Sequence, residues 1–221
     1  MSAHAEAHEH HGPPLANQSS RVDARVLGML MFIGSEIMLF GSFFAAYFFI
    51  RVVNPEASTV TPENWQFWPP CKETPVGGKC VAGQHEFPAF VAGVNTAILV
   101  TSSFTMHWAL QSIKRGQRTA FLAGMVLTFL MGLAFLITQV VEYLHAGFNT
   151  GAGAFASVFF GLTGLHGAHV AVGLSLLAMV IVRGFRGHYS PEHHLGVELP
   201  GIYWHFVDIM WIVVYASVYL L

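Results

Sequence analysis

Acidic residues and histidines stand inside otherwise apolar segments of this sequence. Glu36 lies in SEIMLFGSFFAAYFF, and His205 and Asp208 lie in YWHFVDIMW. The remaining members of this set are His107, Glu142, His166 and His169. Side chains of these types can ligate haem iron, pass protons, or join helices through hydrogen bonds. Which of these they do depends on the elements that hold them.

The composition identifies those elements as membrane helices. Of the 221 residues, 54% are hydrophobic and 10% are charged, and the mean hydropathy is +0.54. A hydrocarbon core about 30 Å thick requires roughly 20 mostly apolar residues in each spanning helix. The sequence therefore predicts an all-α polytopic membrane protein, a bundle of five transmembrane helices at residues 27–50, 88–112, 119–143, 154–182 and 200–221.

Lysine and arginine are distributed unequally between the two ends of these helices. Of the ten basic residues, seven adjoin the end that carries the N-terminus, and three lie in the loop 51–87. Positive charge marks the cytoplasmic side, so we expect the N-terminus inside, the C-terminus outside and the loop 51–87 extracytoplasmic. Residues 21–221 then form one transmembrane domain behind a disordered, histidine-rich cytoplasmic tail, residues 1–20. This tail has no secretory cleavage site, so the first helix is expected to act as its own signal anchor.

Cys71 and Cys80 are the only cysteines, and both lie in WPPCKETPVGGKC. An extracytoplasmic loop of a bacterial membrane protein faces an oxidising compartment, where these two residues could close into a disulfide. The alternative is a metal site, for which His85 offers the one further nearby ligand. The sequence favours the disulfide.

The depth of the acidic residues determines what they cost. A charge near the membrane centre costs about 2.5 to 3.5 kcal/mol on insertion scales. At 1.5 Å per residue, Glu36 and Asp208 lie roughly 12 to 14 Å from the cytoplasmic ends of their helices. They are therefore either neutral or in contact with protein and water. Glu142 differs, because it lies next to the outer end of the third helix and can reach the interface.

Three kinds of protein could use this set of residues. A transmembrane b-type cytochrome would take His107, His166, His169 and His205 as haem ligands. A proton-coupled carrier would use the acids and histidines as a relay. A non-catalytic subunit would use them to hold its own bundle and to contact a larger membrane partner. Small residues at four-residue spacing, such as Gly124, Thr128 and Gly132, favour close helix packing in all three cases.

Four short motifs resemble those of subunit III of cytochrome c oxidase and the related haem-copper oxidases. They occur in the family's order, each on a predicted helix: SEIMLF, QVVEY, GLTGLHGAHVAVG and YWHFVD. The residues that carry the resemblance are Ser35, Glu36, Gln139, Glu142, Tyr143, His166, Gly167, His169, Tyr203, Trp204, His205 and Asp208. Mitochondrial-type members have seven helices, so this chain resembles the short five-helix bacterial form. The cysteine loop and the histidine-rich tail are not part of the family's pattern.

The resemblance implies a subunit with no catalytic residue, no metal and no redox centre of its own. Haem and copper would reside in partner subunits, with subunit I in direct contact and subunit II in the same complex. The complex would reduce dioxygen to water and translocate protons across a bacterial inner membrane, while this chain supports proton uptake and stability during turnover. Phospholipid is the one ligand left open for it, besides the surrounding membrane lipids, and no nucleic acid is expected.

Two hypotheses concern individual residues. We expect Glu36 to be protonated and to hydrogen-bond within the bundle, towards His166 or His169. We expect His205 and Asp208 to form a structural pair near the cytoplasmic side. The electron donor stays open, because a quinol oxidase subunit III and a homologue associated with nitric oxide reductase fit the motifs as well, and the b-type cytochrome remains the alternative of another class.

Overall fold

The structure is a computed structural model, and it describes residues 23–50, 89–145 and 154–220. These residues form five α-helices: α1 (Ala24–Phe48), α2 (Ala89–Lys114), α3 (Arg118–His145), α4 (Ala154–Phe185) and α5 (Leu195–Tyr215). A π-helical turn, Ala216–Leu220, continues α5. The described ranges contain no strand, so the predicted all-α class is confirmed for them.

Four of these helices are long and apolar enough to cross a membrane: α1, α3, α4 and α5. The α2 helix is not among them, because hydroxyl and amide side chains interrupt its apolar residues. A multi-pass membrane protein is thus confirmed, while the count of five spans stays a prediction. The tail 1–20 and the pair Cys71 and Cys80 lie outside the described residues.

The fifth helix begins earlier than the sequence predicted, at Leu195 instead of residue 200. Pro200 lies inside it, where its missing N–H removes a backbone hydrogen bond. Membrane helices tolerate such a proline when neighbouring groups compensate. The additional turn carries Glu198, which pairs with Lys114 at 2.6 Å.

The helices α2, α3, α4 and α5 form a closed ring, and α1 packs on the outside of this ring. Each of α2, α3, α4 and α5 contacts the next, and α5 returns to α2. The α1 helix lies against α4 and α5 and exposes much of its apolar surface, including Met31 at 70% and Met38 at 78%. The polar contacts of α1 with the ring therefore matter for its placement.

The centre of the ring is filled by Trp204, whose side chain is fully buried. Its indole Nε1 donates to Ser102 Oγ of α2 at 2.9 Å. Gly132 of α3 and Gly173 of α4 face the flat ring, because a Cβ at either position would come within 2.8 Å of it. Two glycines thus leave space for the Trp204 ring, and one hydroxyl accepts its hydrogen bond.

Close approach of α2 and α3 depends on a small residue as well. A Cβ on Gly124 would meet the Cβ of Ala109 at 2.8 Å. One turn further along α3, the hydroxyls of Thr128 and Thr105 lie 2.7 Å apart. Backbones that approach this closely gain dispersion energy and hydrogen bonds, which drive helix association in lipid.

The basic end of the bundle is held by charges that complement the helix dipoles. Lys114 at the end of α2 pairs with Glu198 in the first turn of α5, so each charge lies near the helix terminus that favours it. Arg118 donates to the carbonyl oxygens of Gly184 and Phe185 at 3.1 and 2.8 Å. These carbonyls end α4 and have no partner within the helix.

The α1 helix begins with a side-chain cap. Asp23 Oδ1 accepts a hydrogen bond from the backbone nitrogen of Arg25 at 2.8 Å, and the arginine side chain reaches the same carboxylate. These bonds from Arg25 hold the pKa of Asp23 below its ordinary value. The charged carboxylate therefore stays at a helix N-terminus, where the dipole stabilises it.

The Trp204 contact predicts that Gly132→Ala destabilises the bundle. The new Cβ would lie 2.4 Å from the indole ring, which is pinned by its bond to Ser102. Overpacking of this kind costs about 1 to 3 kcal/mol in the free energy of unfolding, measured in mild detergent. Gly41→Ala is the matched control, since no atom lies within 4 Å of that Cβ position. Equal stability of the two variants would contradict the close contact.

Candidate functional site

Glu36 of α1 and His169 of α4 form a polar side-chain pair that joins these two helices. Glu36 Oε2 and His169 Nε2 lie 2.9 Å apart. The two side chains are 17% and 11% exposed, so the contact is largely removed from its surroundings. Of the two histidines that the sequence offered to Glu36, the structure brings His169 to it.

The hydrogen bond of His169 Nδ1 limits the protonation states that His169 and Glu36 can adopt. His169 Nδ1 lies 2.8 Å from the carbonyl oxygen of Leu165, which can only accept, so Nδ1 carries a proton and donates. A neutral imidazole then has a free lone pair at Nε2, to which a protonated Glu36 donates. The other possibility is an imidazolium facing a carboxylate. In both cases a single proton lies between Glu36 and His169, and the pair has no net charge.

Aromatic rings enclose this pair. The Phe40 ring lies 5.1 Å from the imidazole of His169, and the Tyr203 ring stacks at 6.5 Å. The Tyr203 hydroxyl donates to the backbone carbonyl of His169 at 3.3 Å. Separated charges are costly in such surroundings. The expectation that Glu36 carries the proton stays a prediction.

His166 lies one turn before His169 and is fully buried. Its Nε2 donates to the carbonyl oxygen of Val207 on α5 at 3.2 Å. The rings of Trp211 and Phe135 lie 4.7 and 5.6 Å away. His166 thus fixes α4 against α5 in an aromatic pocket and does not reach Glu36.

A second polar cluster joins α2 to α5 around Ser103. Its hydroxyl oxygen lies 3.0 Å from Nδ1 of His205 and also hydrogen-bonds with Oδ2 of Asp208. Asp208 is 3% exposed, and its Oδ1 has no hydrogen-bond partner among the described residues. His205 and Asp208 thus meet through a serine on another helix, which the sequence reasoning did not identify. The four-residue spacing from Ser103 to His107 is the signal that could have found it.

Polar side chains continue from Ser103 along the same face of α2. His107 and Gln111 follow at four-residue steps, and their Nε2 atoms lie 2.7 Å apart. The amide nitrogen can only donate, so His107 Nε2 accepts. Arg115, one further step along, donates to Gln111 Oε1 at 3.1 Å. This row of exposed polar groups ends at the basic end of the bundle.

The motif at the end of α3 forms a third polar group, at the opposite end. The Tyr143 hydroxyl donates to Thr163 Oγ1 of α4 at 2.6 Å. Gln139 is 2% exposed and lies beside Tyr143 and Tyr219. Glu142 is half-buried, and its Oε1 has no hydrogen-bond partner among the described residues. These residues join α3, α4 and the turn that ends α5.

The remaining motif residues make local contacts. The Ser35 hydroxyl donates to the Phe32 carbonyl of its own helix at 2.6 Å and is exposed. Gly167 has open space, since its nearest neighbour would be Leu136 at 3.9 Å from a Cβ. In the described part of the chain, no three histidine, cysteine, aspartate or glutamate side chains come close enough together to hold a metal ion.

Comparisons with known proteins agree with the four motifs. A family model described as cytochrome c oxidase subunit III matches residues 16–221. The chain is 37% identical to the cytochrome c oxidase subunit 3 of Cyprinus carpio, over 95% of this chain and 72% of that protein. Its identity to the cytochrome c oxidase subunit 3 of Synechocystis sp. is also 37%, over 98% of this chain and 80% of that protein. The matched range contains all five described helices.

The pairing of Glu36 with His169 predicts different effects for two substitutions. Glu36→Gln keeps a donor that can reach His169 Nε2, so we expect nearly unchanged stability. Glu36→Leu leaves that nitrogen without a partner and should lower the free energy of unfolding by about 1 to 3 kcal/mol. Met38→Leu, at an exposed position of the same helix, is the control.

Infrared spectroscopy tests the protonation of Glu36 directly. If Glu36 carries the proton, as we expect, the wild-type chain should show a protonated-carboxyl band that Glu36→Gln removes. An unchanged band in the Glu36→Gln spectrum would contradict the neutral form.

Proposed function

Because the chain belongs to the cytochrome c oxidase subunit III family, we propose that it is the subunit without redox centres in a proton-translocating haem-copper oxidase of a bacterial inner membrane. It packs directly on subunit I, which holds haem and copper, and shares the complex with subunit II. It supports proton uptake and the stability of the complex during turnover. The observation that carries this proposal is the family match over residues 16–221.

The use of the histidine nitrogens supports a subunit that binds no haem. His166 Nε2 donates to the Val207 carbonyl, His169 Nε2 pairs with Glu36, and His205 Nδ1 faces a serine hydroxyl. Ligation through any of these atoms would break a bond between two helices. The arrangement therefore favours a structural use of these three nitrogen atoms over haem ligation through them.

The polar composition of α2 supports a contact with a protein partner. His107 and Gln111 are exposed on the surface of the chain. Such side chains are costly against lipid tails. We therefore propose that α2 also spans the membrane, which brings the number of spans to five, and that its polar face contacts subunit I. The exposed apolar side chains of α1 then contact lipid, including any bound phospholipid.

The clustering of basic residues supports the proposed orientation. Lys114 and Arg118 lie at the end of the bundle that also contains the start of α5 and the end of α4. By the positive-inside rule this end is cytoplasmic. The N-terminus then lies inside and the C-terminus outside.

Copurification tests the proposed function. The tagged chain, purified in mild detergent from its native membrane, should bring with it haem- and copper-bearing partners that reduce dioxygen. The chain expressed alone should give no reduced-minus-oxidised haem spectrum. A haem spectrum of the isolated chain would contradict the proposal and would make His107, His166, His169 and His205 the ligands to test.

Substitution of Asp208 tests its anchoring role in the complex. Asp208→Asn keeps a polar group against Ser103 and should assemble nearly as the wild type does. Asp208→Leu removes that contact and leaves the half-buried Ser103 hydroxyl without its acid partner, so copurification of the partners should fall. Wild-type assembly of both variants would show that Asp208 is not an anchor.

A further inference from the structure

Ser103 occupies an unusual position between two titratable side chains of another helix. Its hydroxyl oxygen hydrogen-bonds with Asp208 Oδ2 on one side and lies 3.0 Å from His205 Nδ1 on the other. A hydroxyl has one proton to donate and can accept at the same time. The three groups therefore form a continuous chain of two hydrogen bonds that runs in one direction or in the other.

The burial of Asp208 selects the direction. Its Oδ1 is buried and has no partner among the described residues, which is costly for a carboxylate and much less so for a neutral acid. The neutral acid donates from Oδ2 to Ser103, and Ser103 donates to Nδ1 of His205. The imidazole then carries its proton on Nε2, away from the serine.

We propose that Ser103, His205 and Asp208 form a proton relay that connects the buried Asp208 carboxyl to water near the basic end of the bundle. The Ser103 hydroxyl passes the proton, and His205 exchanges it with water. This inference does not rest on the proposed function, because it concerns side chains of this chain alone and is tested on the purified chain.

One passage through the relay moves one proton outwards. The Oδ2–H bond of Asp208 breaks and a bond from that proton to Ser103 Oγ forms, while the original hydroxyl proton moves to Nδ1 of His205. The imidazolium then releases its Nε2 proton to water. The products are an Asp208 carboxylate, an intact serine hydroxyl and a neutral imidazole protonated on Nδ1, and the reverse passage restores the acid.

The surroundings of the relay give it an exit. His205 is half-buried, and His107, which follows Ser103 by four residues on α2, is exposed. From Ser103 to the end of α2 at Lys114 is about 16 Å at 1.5 Å per residue. His107 and Gln111 line this distance on one face of α2, and Arg115 follows directly after the end of the helix. Polar side chains thus lie along the path between the basic end of the bundle and the relay.

Other titratable groups near the relay do not offer a competing route. His166 of α4 is fully buried and donates to the Val207 carbonyl. Glu36 pairs with His169 at the contact of α1 with α4. Removal of the Ser103 hydroxyl should therefore isolate Asp208.

Time-resolved infrared spectroscopy of the full chain in detergent tests the relay. Asp208→Asn identifies the protonated-carboxyl band of Asp208 by difference. After a rapid rise in buffer pH the wild-type band should decay, and after a return to low pH it should recover. Ser103→Ala should slow both processes by about 100-fold, the contribution typical of a positioned proton-transfer group. A structural role alone would change stability and leave these rates unaltered.

Two further variants keep the test decisive if Ser103→Ala does not fold. Ser103→Thr retains the hydroxyl and should keep the wild-type rates. His205→Asn can still bond to Ser103 but cannot take up a proton, so it should slow the decay as much as Ser103→Ala. Ser175→Ala, which removes an exposed hydroxyl bonded only to its own helix, is the control and should have no effect.

Three outcomes would overturn the relay. The first is an Asp208 band that is missing from the wild-type spectrum at neutral pH. The second is a band that decays at the wild-type rate in Ser103→Ala or in His205→Asn. The third is a decay of the Asp208 band that is slowed to the same extent in the Ser175→Ala control.

Discussion

The exclusion of water from the hydrocarbon core is the constraint on which this structure depends. A polar side chain there must find its hydrogen bond within the protein, because an unpaired group costs several kcal/mol. Many polar side chains of the described helices meet this requirement through pairs that cross from one helix to another, whereas Asp208 Oδ1 and Glu142 Oε1 have no partner among the described residues. Three such pairs are Glu36 with His169, Tyr143 with Thr163, and Trp204 with Ser102. The polar residues therefore help to determine which helices are neighbours, together with the close packing of small residues that also drives helix association in lipid.

Close packing and polar pairing depend on each other in the ring. The indole of Trp204 can reach the Ser102 hydroxyl only because Gly132 and Gly173 leave room for the ring on both sides. The hydroxyl in turn holds the indole in one orientation, which fixes the distance between α3 and α4. Trp204 thus keeps α3 and α4 at a fixed distance, and the hydrogen bond of its indole nitrogen fixes the orientation of its ring.

Hydropathy was sufficient to find the five helices, though not the start of α5, and the four motifs were sufficient to identify the family. Both depend on local sequence. The contacts were harder to predict. His166 and His169 lie three residues apart, so the choice of partner for Glu36 depends on the rotation of α4, which the aromatic pocket around His166 sets. Ser103 escaped notice because a hydroxyl adds little to hydropathy and many serines only bond to their own helix. The early start of α5 depends on Glu198 and a lysine from another helix, which no local pattern reveals.

The two intramembrane acids solve the same problem in different ways, and the difference has a chemical consequence. Glu36 meets its imidazole directly, so a single proton is shared between two atoms and stays within an aromatic enclosure. Asp208 contacts His205 through the Ser103 hydroxyl, which both donates and accepts, so a proton that leaves the acid can continue to the His205 imidazole. A direct pair holds α1 in place without net charge, whereas a bridged pair combines the same anchoring with a path for a proton. The serine between Asp208 and His205 is therefore the feature that allows this contact to transfer a proton as well as to join two helices.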